Sequence, residues 1–246
     1  MKIVVVAGGL ATRMRPITEE IPKCLIDING KPLIQHQLEF FKEHGYTEFI
    51  FNVAHLAEKV EEYFGDGSEF GLTIQYIDEG EELRGTAGSV KLDEDLITED
   101  NFIVFMGDNL TSMDFDKFIE FHQQKGGVAT ICMRPLPAGY QSSSVITLHK
   151  DKRIKVFLEK PPMEEIEKYK DEKRFINSGI YCFKREVFKL IPPNTKYDFA
   201  KQLFPDIMKK KLGIYGYVTE EFFREIGRVE KYDAFLKEIR DKKKFL

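Results

Sequence analysis

The chain has 246 residues and a formal net charge of −4, with 42% hydrophobic and 32% charged residues, 21 Phe and 10 Tyr. That composition provides ample apolar area for a core and excludes intrinsic disorder, and its mild acidity argues against a basic nucleic-acid footprint. The three cysteines, Cys24, Cys132 and Cys182, have no CxxC spacing and the five histidines form no ligand pair, which argues against a disulfide framework or a zinc site.

In chain order, Lys2 to Ala7 is a continuous β-branched run, the pattern of a strand covered on both faces. It is too short for a signal peptide, and no apolar run approaches the ~18 residues of a membrane span, so a soluble cytoplasmic protein with no membrane and no nucleic-acid partner is expected. After a polar loop, Leu33, Ile34, Gln37, Leu38 and Phe41 stand at helical spacing, with Pro32 suited to a first turn and Gly45 to a stop. Strands are expected over Glu48–Ala54, Leu72–Ile77 and Asn101–Met106, and helices over Leu56–Phe64 and Ala87–Lys91. This alternation predicts an α/β fold, with a mainly parallel sheet and helices on both faces.

The second half has closely spaced strand patterns at Gly127–Met133, Val145–His149, Arg153–Leu158 and Phe175–Phe183. Asp198–Lys210 reads as helix, Tyr215–Thr219 as strand and Val229–Lys243 as a terminal helix. The organisation expected is one domain over 1–246, with a nucleotide-type half up to about residue 115 and a substrate half after it. Ligands of such sheets sit beyond the carboxyl ends of the strands, so the loops after Ala7, Ile77 and Met106 matter most.

The first of these loops reads Ala7-Gly8-Gly9-Leu10-Ala11-Thr12-Arg13-Met14-Arg15-Pro16-Ile17-Thr18, continued by Ile21-Pro22-Lys23. Glycines there let backbone N–H groups approach phosphate oxygens, but the spacing fits neither GxGxxG nor GxxxxGK[ST]. The string resembles the G-G-x-G-T-R-(L/M)-x-P-(L/I)-T…P-K-P signature of the sugar-1-phosphate nucleotidylyltransferases, with Ala11 at the third glycine and Cys24 at the last proline. Further matches follow in the family's order: Leu83-Arg-Gly-Thr-Ala-Gly88, Gly107-Asp-Asn109, Glu159-Lys-Pro161, Asn177-Ser-Gly-Ile-Tyr181, Leu203-Phe-Pro205 and Glu225-Ile-Gly227. The early half is especially similar to the short mannose-1-phosphate guanylyltransferase and muramate-1-phosphate uridylyltransferase-like members.

The resemblance implies a Rossmann-like, glycosyltransferase-A-like architecture, mainly parallel but mixed. The implied reaction is Mg²⁺-dependent: an NTP and a sugar 1-phosphate give an NDP-sugar and pyrophosphate. Like unit charges about 4 Å apart repel by ~4 kcal/mol at an effective dielectric of 20, so cations and a metal ion must supply most of the catalysis. By resemblance, Arg13 holds the triphosphate, Lys23 contacts the α-phosphate and the attacking phosphate, and Asp108 ligates Mg²⁺. Glu225 stands where the family has aspartate as a second ligand. Gly8, Gly9, Ala11, Thr12 and Gly85 belong to the nucleotide site, and Glu159, Lys160, Asn177 and Gly179 to the sugar-phosphate site. Ser144, where the family often has glycine in Tyr-Gly-Val, brings a side chain toward the sugar pocket.

Glu81 falls where the family places a polar residue facing the base. A carboxylate is acceptor-only, so it suits guanine, with two adjacent donors, over uracil or thymine; GTP with mannose 1-phosphate is the expected pair. The competing reading of Glu81 is a solvated charge beside Glu79 and Glu82. Also open are UTP or dTTP as donor, a weakly catalytic nucleotide-sugar-binding regulator, and a glycosyltransferase using Asp114-Phe-Asp116 as a metal motif. That last motif reads first as a helix cap. With no appended repeat domain, a second activity is not expected, while a homo-oligomer stays open.

Overall fold

The structure, a computed structural model, describes residues 1–80, 82–137 and 144–240. Glu81, residues 138–143 and the part of the expected terminal helix after Arg240 lie outside the described residues. The chain begins with β1 (Ile3–Val6), β2 (Asp27–Ile28), β3 (Lys31–Pro32), α1 (Leu33–Glu43), β4 (Glu48–Val53), α2 (Ala57–Phe64) and β5 (Thr73–Asp78). Next come α3 (Gly85–Lys91), β6 (Asn101–Met106), β7 (Asn109–Thr111), α4 (Phe115–Lys125), β8 (Ala129–Pro135), β9 (Val145–Leu148) and β10 (Ile154–Leu158). The last elements are α5 (Met163–Glu167), β11 (Phe175–Lys184), α6 (Phe204–Lys209), β12 (Ile214–Val218), β13 (Phe223–Glu225) and α7 (Val229–Arg240). No helix among the described residues is long and apolar enough to cross a membrane.

The chain forms two compact units that interleave in sequence. The first takes Met1–Leu83, Phe105–Met113 and the chain from Glu221 onward; the second takes Arg84–Val104 and Asp114–Glu220. The interleaving has a local cause in the first unit, where β13 pairs antiparallel with β7, setting Glu225 opposite Asn109.

In the first unit β1, β4 and β5 are parallel, in register from Ile3 opposite Phe49 to Val53 opposite Asp78. The β-branched β1 is buried, as its sequence requires, and α1 covers the sheet with Leu33, Ile34, Leu38 and Phe41. Phe41 meets Phe105 edge-on at 5.3 Å between ring centroids and Phe49 at 5.8 Å. Each such fully buried side chain contributes about 2–3 kcal/mol relative to exposure. A second cluster packs Met14, Ile26, Ile28, Leu33, Leu110 and Ile226 under Phe235 and Ile239 of α7. The β2–β3 hairpin turns on Asn29-Gly30, both at positive φ (56° and 89°), the pair that a tight primed turn demands.

In the second unit β11 pairs antiparallel with β8 and β9, β9 antiparallel with β10, and β12 parallel with β8. With the parallel β1–β4–β5 ladder of the first unit, this gives the mixed α/β fold expected. α4 opens on Asp114, whose carboxylate accepts from the Lys117 amide at 3.0 Å, and it stops at Gly126 with φ 68°. The helix expected from Asp198 begins instead as a wide π-type turn over Phe199–Leu203 before α6. Pro205 has no amide proton and its ring crowds the carbonyl four residues back, which favours the wider turn. Accordingly, Leu203 bonds the carbonyl of Asp198, five residues earlier.

Candidate active site

In the first unit the loop after β1 is fixed at its base by Ala7 N–H donating to the Asn52 carbonyl at 2.8 Å. Gly8 is closely packed: a Cβ there would lie 3.1 Å from Glu79 Oε1 and 3.3 Å from β4 backbone. Gly9 is exposed, and a Cβ there would meet nothing within 4 Å. Ala11 takes the left-handed conformation, φ 46° and ψ 31°, and its carbonyl accepts from Met14 N–H at 2.8 Å and the Thr18 hydroxyl at 3.0 Å. The third-glycine position does need positive φ, and alanine adopts it here at a conformational cost of about 1–2 kcal/mol. Thr12 and Arg13 follow in a short 3₁₀ turn, both exposed.

Lys23, in the 3₁₀ turn Lys23–Leu25, is hydrogen-bonded through Nζ to Asp108 Oδ2. Asp108 stands just before β7, and its carbonyl accepts from Ile226 N–H at 2.9 Å. The β7–β13 ladder therefore delivers Glu225 beside the Asp108 segment. Glu225 Oε2 accepts from Lys231 Nζ in α7. Burial pushes the Glu225 carboxyl up, but the Lys231 hydrogen bond and the charges of Lys231, Lys23 and Arg13 outweigh it, so its pKa lies below the ordinary value. Arg13 and Glu225 flank one glycine: a Cβ on Gly227 would lie 2.7 Å from Glu225 Oε1 and 3.7 Å from Arg13 Nη2. Cys24 beside Lys23 is buried, and burial pushes its thiol up to about 12, so it takes no part as a thiolate.

Among the described residues no group of three or more His, Cys, Asp or Glu side chains is arranged to hold a metal. The donor set nevertheless fits Mg²⁺: Asp108 and Glu225 already hold ammonium cations, and this ion commonly takes one or two carboxylates and completes its shell with phosphate oxygens and water. Beside the loop lies a pocket of about 550 Å³ lined by Leu10, His55, Leu56, Asp78, Gly80 and Leu83.

The structure also brings forward Glu79, which sequence reasoning left among the solvated charges. It is only 8% exposed and sits against Gly8. The signal available was its place at the end of the β5 pattern, where the next carboxylates are already in the loop. Glu81, the residue expected at the base, lies outside the described residues.

In the second unit Gly85 begins α3 at φ 72°, and a Cβ there would lie 3.0 Å from the Tyr197 carbonyl. Gly88 is tighter, 2.6 Å from the Thr195 carbonyl. These glycines of the Gly-Thr-Ala-Gly motif let α3 dock on residues 195–199, where Thr86 Oγ1 accepts from Phe199 N–H at 2.9 Å. Glu159 Oε1 is 3.8 Å from Lys160 Nζ, and Lys160 has φ 48°. Burial raises the Glu159 pKa against the charges of Lys160 and Lys201. Asp198 and Lys201, absent from the sequence expectations, join this charged group.

Asn177 is committed within the fold: its Nδ2 donates to Tyr181 Oη and its Oδ1 accepts from Gly179 N–H, both at 2.9 Å. Gly179 has φ 69°, where β11 shifts register against β8. The Ser144 hydroxyl is buried and accepts from Asn177 N–H at 2.9 Å; it braces this wall from within. The Asp114-Phe-Asp116 motif is a helix cap, as its residues suggest.

Over residues 2–242 the chain matches the family described as Nucleotidyl transferase. It is 36% identical over 243 residues to a UTP–glucose-1-phosphate uridylyltransferase of Synechocystis sp., covering 94% of this chain and 61% of that one. The chain thus spans about three-fifths of that relative. It is 29% identical to a D-glycero-α-D-manno-heptose 1-phosphate guanylyltransferase of Aneurinibacillus thermoaerophilus, over 97% and 98% of the two chains. HddC from Yersinia pseudotuberculosis, in a structure complexed with GMP-PN, superposes with a TM-score of 0.78 at 24% identity, over 97% and 99% of the chains.

Proposed function

This chain belongs to the Nucleotidyl transferase family, and on that premise we propose that it transfers a nucleotidyl group from an NTP to a sugar 1-phosphate, releasing pyrophosphate. The observation that carries the reading is the Lys23–Asp108 pair at the foot of the glycine loop, with Glu225 delivered beside it by the β7–β13 ladder.

In this reading a phosphate oxygen of the sugar 1-phosphate attacks the α-phosphorus. A new P–O–P link forms, the α–β link breaks and pyrophosphate leaves. The attacking oxygen is already ionised at neutral pH, so no general base is required. Gly8, Gly9, Ala11 and Thr12 offer backbone to the triphosphate, Arg13 holds the departing pyrophosphate, and Lys23 neutralises charge between the two phosphates. Asp108 and Glu225 hold Mg²⁺, which when bound screens the phosphate charge. The base enters the pocket at Leu10, Gly80 and Leu83, and Gly85 belongs to the nucleotide site. Glu159, Lys160, Asn177 and Gly179 take the sugar phosphate. The reaction runs in the cytoplasm.

The proposed pair is GTP with a manno-configured sugar 1-phosphate, for which mannose 1-phosphate is the simplest case. Two features support it: Glu81 as an acceptor-only group and the end-to-end match to the heptose guanylyltransferase. UTP is the second reading, favoured by the higher identity to the Synechocystis relative. The test is pyrophosphate release from each NTP with a sugar 1-phosphate panel and Mg²⁺. Lys23→Ala is expected to lower kcat/KM about 10²–10⁴-fold in a folded protein, and near-normal turnover by that variant overturns the assignment.

A further inference from the structure

Glu225 departs from the family pattern by one methylene, and the structure shows how the longer arm is accommodated. It folds back so that Oε1 lies 2.7 Å from where a Cβ on Gly227 would stand, so a side chain at 227 would displace the carboxylate from this position. Its other oxygen, Oε2, is taken by Lys231 Nζ. Lys231 occupies the first turn of α7, where the helix dipole disfavours a cation; the Glu225 carboxylate supplies the compensating charge. The Lys231 and Glu225 side chains are 40% and 35% exposed, so ions can reach the pair.

We propose that Lys231 is the built-in counter-cation of Glu225 and sets the affinity of the site for a divalent ion. The proposal rests on the reading of Asp108 and Glu225 as the metal ligands. Asp108 is neutralised by Lys23 and Glu225 by Lys231, and Arg13 stands beside Gly227. The cationic groups of this cluster therefore outnumber its two carboxylates. The nucleotide-free site attracts an anion and holds a divalent cation weakly, and the nucleotide's own negative charge reverses that balance. Removing the Lys231 charge removes a like-charge repulsion on any ion bound to Glu225. Orientation of the carboxylate by a half-exposed ion pair is the smaller effect.

The experiment is Mn²⁺ binding to nucleotide-free protein, followed by electron paramagnetic resonance of the free ion. Wild type, Lys231→Met and Lys231→Arg are compared, each alone and with Glu225→Gln. Lys231→Met is expected to bind Mn²⁺ about tenfold more tightly than wild type, and Lys231→Arg to match wild type. With Glu225→Gln present, Lys231→Met should change Mn²⁺ affinity less than threefold. Equal or weaker binding by Lys231→Met overturns the proposal, as does a tenfold gain that persists without the Glu225 carboxylate. If Glu225→Gln leaves the affinity of the Lys231→Met protein unchanged, the ligand role of Glu225 fails. Pyrophosphate release separately tests the activity.

Discussion

Ala11 is the residue at which the glycine loop departs most from the family pattern, and its left-handed backbone (φ 46°) states the consequence. Ala11→Gly relieves the left-handed cost, offset in part by the greater freedom of glycine in the unfolded chain. A net stabilisation of about 0.5–1 kcal/mol is expected in urea unfolding, and destabilisation would show that the Thr18 and Met14 hydrogen bonds depend on the alanine methyl. His122 makes a second residue-scale prediction. Its ring is fully buried between Thr130 Oγ1 at 2.8 Å and Asn101 Oδ1 at 3.1 Å. Burial first, and the Lys184 charge second, lower its pKa from 6.5 to about 4. The unfolded chain therefore takes up this proton before the folded one does. The contribution is intact above pH 6.5 and is lost as pH falls toward 4, up to about 3 kcal/mol in all. Unfolding free energies at pH 7, 5.5 and 4.5 should fall more steeply in wild type than in His122→Gln.

At the scale of elements, the short β7–β13 ladder is held from behind by α1. Gln37, fully buried, accepts from Thr111 N–H at 2.8 Å, and Thr111 Oγ1 donates to the Phe222 carbonyl at 2.8 Å. Among the described residues Gln37 Nε2 has no hydrogen-bond partner, so the residue is retained at a desolvation cost of about 1–3 kcal/mol while serving this ladder through its oxygen. Gln37→Leu leaves the Thr111 amide without its acceptor and loosens the ladder that carries Glu225. The expected outcome is a several-fold rise in the Mg²⁺ concentration for half-maximal turnover, with KM for the sugar 1-phosphate unchanged. An unchanged Mg²⁺ requirement would make Gln37 a packing residue only.

For the whole molecule, ligand linkage reads out which nucleotide the folded state prefers. A ligand present at 100 times its Kd stabilises the protein by about 2.7 kcal/mol. Thermal unfolding with equal concentrations of GTP, UTP, dTTP, ATP and CTP, each with Mg²⁺, is expected to give the largest rise in Tm with GTP. A larger rise with UTP would favour the uridylyl reading. Because the two compact units are interleaved in sequence, neither can be excised as one continuous segment, and such measurements belong to the full chain.

The main strands and helices were legible because their burial follows local pattern. β6 spans Asn101–Met106 as its apolar run predicts, and α4 starts at the Asp114 cap. The family was equally legible, because motif order is a property of the chain itself. The β2–β3 hairpin carried a local signal in Asn29-Gly30 that the strand pattern, only two residues on each side, was too short to reinforce. What only the tertiary structure decided are the long-range pairings. The resemblance already implied that Glu225 and Asp108 share a site; the ladder that joins them across more than a hundred positions, the burial of Glu79 against Gly8 and the hold of Lys231 on one oxygen of Glu225 came only from the fold. Periodicity reports which face of an element is buried, whereas these contacts depend on which elements meet. That is set by the packing of the folded chain and leaves no periodic trace in the sequence.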